Sequence, residues 1–351
     1  MTASAHCKVE VVDPRVDARW MAVESLPQAT LYHSAAWARL IAGTYGFRPR
    51  YYLAADGSQI VGGLPCFEVG GAWRGRRLVS LPFSDFGGPA GDASARARLT
   101  AALLTDASAE HWRTVELRGA AIDADAQSLT ESVHADNYTL SLDRSLCDLA
   151  RGFADSVKWG RKRALREGVE VERSSTFEAL REFYRLHQLT RRKLGVPVQS
   201  WKFFERLAGE FFTGDAGFVM HARHAGAVVA SAVFLRHGAR LYYKFSASDP
   251  LKLALQPNSL LLWQAIEWAK REGLAELDLG KTVRENIGLA RFKRSWGAQA
   301  TPLPHYYFPR VAGLAAQSED DTRLRALRAV WRRLPLPVTR VIGGLVYRAL
   351  A

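Results

Sequence analysis

The sequence predicts an α/β fold with mixed sheets, arranged as two domains followed by a basic, amphipathic helical tail. Three observations carry this. The chain has 351 residues, room for about two domains at roughly 100–200 residues each. A strand–turn–strand pattern occurs near residues 51–67 and again near 217–235. The last thirty or so positions are rich in arginine and lack acid from residue 322 onward. Hydrophobic residues make up 48% and charged residues 24%, a balance that excludes disordered and collagen-like chains. Cys7, Cys66 and Cys147 show no CxxC spacing, so neither a disulfide framework nor a cysteine zinc site is expected, and a reducing cytosol fits. Met1–Val12 has no apolar core of a secretory signal, and no stretch reaches the ~18 uncharged apolar residues of a spanning helix. Asn137-Tyr138-Thr139 is then a chance sequon.

In chain order, Ser34–Tyr45 reads as a helix, and Tyr51–Ala55, an Asp56-Gly57 turn and Ile60–Leu64 as a hairpin. Arg77–Leu81 and Val115–Leu117 read as strands, and composition turns polar near Asp143–Arg151, which places a domain boundary there. Apolar residues at helical spacing, Phe177, Leu180, Phe183, Tyr184, Leu186 and His187, predict a helix over 176–193; a second spans 200–212. A hairpin over 217–235, turning at His224-Ala225-Gly226, precedes an aromatic strand at 240–246. Pro257-Asn258-Ser259 opens a helix that stops near Glu272, where Lys270 and Arg271 suit its negative end and Gly273 the left-handed exit. Strands at 274–279 and 302–308 complete the second domain. The expected divisions are 1–145, 146–310 and the tail 311–351.

This order over 176–308 resembles the GNAT acyltransferase fold, and the earlier elements resemble a shorter copy. Several strings together resemble the Fem family (FemAB-like) of aminoacyl and peptidyl transferases, in its branch associated with exopolysaccharide systems. They are Tyr32-His33-Ser34 with Trp37, Ser80–Gly88, Lys158–Ala164, Thr190–Pro197, Tyr242–Asp249, Pro257-Asn258, Asp278–Thr282 and Gly288–Gly297. The resemblance implies transfer of an activated aminoacyl group, carried by tRNA, onto an amine of a cell-envelope or exopolysaccharide precursor. No cofactor is expected, because the donor arrives activated. Acyl-CoA is the runner-up donor.

Amide formation needs the acyl carbon and amine at attack distance, a stabilised oxyanion and a route for the amine proton. By resemblance, Lys293 stabilises the tetrahedral intermediate, with Arg291 beside it, in a groove shared by two lobes; without that likeness both read as a solvated basic run. Asp85 is expected near the acceptor amine, or else caps its own turn. Neighbours on a strand face opposite ways, so Tyr243 cannot share a face with Tyr242 or Lys244, and the resemblance implies that Tyr243 is the substrate-facing one. His33 and Trp37 fit a cleft wall; Ile41, with Arg39 nearby, stands where peptidoglycan-directed relatives carry a lysine. Lys158, Arg161 and Lys162 are expected to hold phosphate or to form an exposed basic face. Asn258 caps its helix or touches a ligand; that helix opening has no glycine and a proline without a donor, so it lacks the usual cradle for the CoA pyrophosphate. No general base, metal set, GxSxG, GxxxxGK[ST] or HExxH motif is found.

The tail, 322–351, carries seven arginines on two apolar stripes separated by Leu334-Pro335-Leu336-Pro337, which suits an anionic membrane surface or a helix packed back on the second domain. The expected protein is a cytoplasmic acyltransferase, peripheral on the inner face of the plasma membrane. Rival readings are an acyl-CoA-dependent N-acyltransferase and a non-catalytic module that docks on tRNA or anionic lipid.

Overall fold

The computed structural model describes residues 7–71, 75–119, 122, 129–309, 331–335, 338–339 and 342–343. The tail expected at 311–351 therefore falls outside the described residues except for short stretches, among them Gly343, which backs onto the Val198 backbone.

The chain forms two units. Among the described residues, the first comprises those up to 135 together with 302–309, and the second 136–301 with the short stretches between 331 and 343. The first unit runs β1 (Cys7–Val12), α1 (Trp20–Glu24), α2 (Ala35–Tyr45), β2 (Arg48–Pro49), β3 (Tyr51–Asp56), β4 (Gln59–Leu64), β5 (Phe67–Gly71), β6 (Gly75–Val79), β7 (Ala90–Gly91), α3 (Ala93–Ala109), β8 (Thr114–Arg118) and β9 (Thr130–Ser132). The second contains β10 (Ala135–Ser141), α4 (Leu146–Gly152), α5 (Asp155–Arg166), β11 (Glu170–Ser174), α6 (Phe177–Leu194), α7 (Trp201–Phe211), β12 (Gly217–His224), β13 (Ala227–His237), β14 (Arg240–Ser248), α8 (Pro257–Arg271), β15 (Glu276–Val283), α9 (Ile287–Ser295) and β16 (Gln299–Pro302). A last strand, β17 (His305–Phe308), returns to the first unit.

That return changes the expected division. The strand at 302–308 splits: β16 stays in the second unit, while β17 pairs with β8 and β9 in a sheet ordered β2-β5-β6-β8-β17-β9. The boundary lies at 135/136 and not at 143–151, because β10 already belongs to the second unit's sheet. The first unit's other sheet is β1-β3-β4-β7, built on the 51–64 hairpin.

The second unit has one seven-stranded sheet, β11-β12-β13-β14-β15-β10-β16. Strands β11 to β14 are antiparallel neighbours, and β14 to β15 is a parallel crossover through α8. Helix α8 is apolar nearly all round, and Leu260, Leu261, Leu262, Ala265, Ile266 and Ala269 are buried in one core with Phe218, Phe234, Leu241 and Leu277. Helix α6 begins at a Thr176 cap and ends in left-handed Gly195 after Arg191, Arg192 and Lys193, which face the helix's negative end.

Two irregularities in this sheet matter below. The β13–β14 register shifts so that Val233 opposes Phe245 while Phe234 opposes Tyr243, leaving Lys244 as the extra residue of a bulge. The parallel ladder of β14 with β15 has three rungs, Arg240–Glu276, Leu241–Leu277 and Tyr242–Asp278, and goes no further although both strands continue.

Candidate active site

Where the ladder stops, a groove of about 290 Å³ opens over the free end of β14. Tyr243, Ser246 and Ser248 come from β14, Thr190, Lys193 and Leu194 from the end of α6, Asn258 from the first turn of α8 and Phe292 from α9. The bulge puts Tyr243 here. Tyr242 is 2% exposed, while Tyr243 is half-buried among the lining residues. Burial pushes the Tyr243 phenol up, so it stays protonated and can donate near neutral pH. Thr190 and Ser248 fasten α6 to β14: the Thr190 hydroxyl donates to the Ser248 carbonyl at 3.4 Å and accepts from its N–H at 3.2 Å.

Asn258 does not cap its helix. Residue Gln256, left-handed at φ 57°, stands at the cap without a side-chain bond, and the Asn258 amide pairs with the Ser248 hydroxyl at 2.9–3.0 Å. The first turn of α8 offers few donors to an anion: Pro257 has no N–H, and the Ser259 N–H bonds the Gln256 carbonyl at 3.1 Å. Helix α5 lies directly against this turn at Gly160, where a Cβ would stand 2.6 Å from the Ser259 hydroxyl.

Contact with α8 also changes the reading of the basic run. Arg161 lays its guanidinium over the Trp263 ring at 3.5 Å, and loss of solvent there pushes its pKa down. Lys158 pairs with Asp155 at 3.4 Å. Lys162 stays exposed, as does Trp159, which is 53% exposed with the Arg163 guanidinium 5.3 Å from its ring. The phosphate-binding expectation thus narrows to the outer face of α5.

Lys293 points neither into solvent nor among the groove's lining side chains. It is 4% exposed, and its ammonium donates to the carbonyls of Gly280 and Lys281 at 2.7 and 3.1 Å, just past the last β14–β15 rung. The Tyr138 ring lies 5.3 Å away. Asp278 secures the same turn, accepting from the Gly280 N–H at 2.6 Å and from Asn137 at 3.1 Å. Adjacent Phe292 reaches the groove, and Arg291 is exposed.

In the first unit, His33, Trp37 and Asp85 gather around the Ser80–Gly88 loop. His33 and Trp37 are not cleft walls: they are 2% and 0% exposed. The Thr30 N–H donates to His33 Nδ1 at 3.2 Å, which leaves Nε2 to donate to the Gly88 carbonyl at 2.9 Å, and the Trp37 indole donates to the Ser84 hydroxyl at 2.8 Å. Asp85 is partly exposed and accepts from the Tyr32 hydroxyl at 2.5 Å, a partner outside its own turn. Leu81 and Phe83 are left-handed at φ 54° and 62°, a strained backbone for non-glycine residues that the surrounding contacts hold in place. Arg39 is exposed on α2, and Ile41 is fully buried.

Sequence reasoning missed Thr190, Lys193, Ser248 and Phe292 as groove residues, although each lies in a string that carried the family resemblance. Among the described residues, Glu172, Glu182 and His221 bring possible metal-ligating atoms within 4.8 Å of one another. Arg223 donates to both carboxylates at 2.6 and 2.7 Å, so their charge is already matched.

Comparison with known proteins bears on the fold. Residues 151–294 match the acetyltransferase (GNAT) domain family. A 125-residue stretch is 24% identical to the UDP-N-acetylmuramoylpentapeptide-lysine N(6)-alanyltransferase of Weissella viridescens, and the match spans 36% of this chain and 37% of that relative's length. The crystal structure of FemX covers 93% of this chain and all of its own at TM-score 0.69 and 14% identity. A tandem GNAT protein from the clavulanic acid biosynthesis pathway covers 89% and all of its own at TM-score 0.54 and 14% identity. The fold is that of two tandem GNAT-like domains, as the element order predicts, and the resemblance to Fem proteins holds.

Proposed function

We propose that this protein is an acyltransferase that forms an amide, moving an aminoacyl group from charged tRNA to an amine of a cell-envelope or exopolysaccharide precursor. The observation that carries the reading is the groove at the abrupt end of the β14–β15 ladder, within a segment matched by the acetyltransferase (GNAT) domain family. The groove over the free end of β14 offers an acyl chain an extended slot. The protonated Tyr243 phenol and the Asn258 amide supply neutral donors to the acyl oxygen, and Lys193 supplies charge at the rim.

Lys293 does not line the groove, and its part in this reading is electrostatic. Its ammonium is fixed in the interior one residue from Phe292, where low local dielectric lets a positive charge stabilise oxygen anion character more than it would in water. The donor ester is already activated, so no resident cofactor is invoked. An acyl-CoA donor is the weaker reading, because the first turn of α8 is short of N–H donors and is covered by α5.

The test incubates the full chain with radiolabelled alanyl- and glycyl-tRNA and two acceptor sets, UDP-muramoyl pentapeptide and amino-sugar oligosaccharides. Label appearing in an acceptor amide supports the proposal. Acetyl-CoA consumption without tRNA turnover replaces it with the CoA reading, and salt-sensitive tRNA binding without acyl loss replaces it with a binding module.

A further inference from the structure

We infer that the turn at Pro250–Leu253, with the end of α6 across the groove from it, is a docking surface for an anionic bilayer. Leu251 is 87% exposed, Leu253 39% and Leu194 53%, so three leucines crown the two rims of one groove. Their presentation is rigid. Asp249 accepts the Leu251 N–H on its side chain at 2.9 Å and the Lys252 N–H on its carbonyl at 3.1 Å, and Leu255 and Gln256 close the next turn onto Lys252 and Leu253 at 3.1 and 3.0 Å. A loop held this firmly loses little freedom when its tip is buried.

Charge identifies the occupant. Lys252 and Lys193 are exposed beside the leucines, and the one acid in 190–204 and 249–266 is Asp249, partly buried and bonded to the Leu251 N–H. Leu251 projects; it does not line a recess. A protein partner would need a socket shaped to it, whereas a bilayer deforms around an apolar tip while its anionic headgroups meet the flanking lysines. The surface lies outside the arginine-rich 322–351 segment. Taken with the proposed reaction, on which this one clause rests, a groove opening at the lipid surface selects an acceptor amine carried on a lipid.

The test uses the full chain and vesicles of phosphatidylglycerol and phosphatidylethanolamine, with phosphatidylcholine vesicles as the neutral control. Co-sedimentation is measured for the parent and for Leu251→Glu/Leu253→Glu, whose substituted positions are exposed and whose melting temperature is checked against the parent. A second readout places an environment-sensitive dye on Leu251→Cys in a Cys7→Ser/Cys147→Ser background. The expected result is binding to the anionic vesicles, at least a tenfold weaker partition for the double variant, and a blue shift of the dye on binding. Three results overturn the inference: no vesicle binding by the parent, binding by the double variant within twofold of the parent with the dye still in water, or self-association that Leu251→Glu abolishes in the absence of lipid binding. Because none of these readouts involves acyl transfer, their failure is distinct from failure of the proposed reaction.

Discussion

Replacing Lys293 by Met keeps an unbranched apolar stem of similar length and removes the charge and its donors. The ammonium makes two bonds to backbone carbonyls, at 2.7 and 3.1 Å, and the residue is 4% exposed. Bonds to a charged group contribute about 1.5–3 kcal/mol each. The variant also escapes the cost of holding a charge away from water, which takes back a share of that gain. A net loss of roughly 2–3 kcal/mol remains. The second unit's main segment, 136–301, falls in the size range where 1 kcal/mol moves Tm by about 2–4 °C, so the midpoint should drop by roughly 5–10 °C. Calorimetry of the parent and variant measures this. Turnover assayed well below the variant's melting temperature should fall at least tenfold, while Lys293→Arg, with a bulkier head in a filled site, should be unstable as well as slow. A Lys293→Met protein that melts within 1 °C of the parent and turns over normally would refute both the carbonyl anchoring and the electrostatic role.

Burial holds the His187 imidazole neutral down to about 3, against an ordinary value near 6.5, so the unfolded chain binds the extra proton first. The native state should therefore be favoured fully above pH 6.5 and lose stability as pH falls from there towards about 3, by about 1.4 kcal/mol per pH unit from this group; urea midpoints across that range should flatten in His187→Gln. Gly160→Ala should destabilise by about 1–3 kcal/mol despite alanine's better helix propensity, because its Cβ would meet the Ser259 hydroxyl at 2.6 Å, and Ser259→Gly should recover most of the loss in a double-mutant cycle. Asp85→Asn keeps an acceptor for the Tyr32 hydroxyl and should leave Tm nearly unchanged in calorimetry; a clear drop would show that the carboxylate's charge, and not its acceptor alone, holds the Ser80–Gly88 loop.

Much of the fold was legible because its signals are local. The Asp56-Gly57 turn marks the first hairpin, the apolar spacing from Phe177 to His187 marks α6, and Lys270, Arg271 and Gly273 close α8. The exchange of β17 was not legible, since His305–Phe308 is four residues long and its own pattern does not specify which sheet it joins. Nor was the bulge at Lys244, which depends on cross-strand register. At the site, the strand period separated Tyr242 from Tyr243, but composition cannot tell a binding side chain from an anchoring one. His33 and Trp37 have the residue types of a ligand pocket and spend their polar atoms inside the first unit. Arg161 has the charge of a phosphate ligand and spends it on Trp263. Asn258 has the residue type of a cap and binds the neighbouring strand, because Gln256 already turns the chain into α8.

The account depends on acyl transfer taking place in the groove beside Tyr243. The most direct measurement is single-turnover transfer of a labelled aminoacyl group from tRNA to an acceptor amine by the parent and by Tyr243→Phe/Asn258→Ala, with tRNA affinity measured in parallel. The account predicts a new amide from the parent and a rate at least a hundredfold lower for the double variant at similar tRNA affinity. Equal rates from both proteins would contradict it.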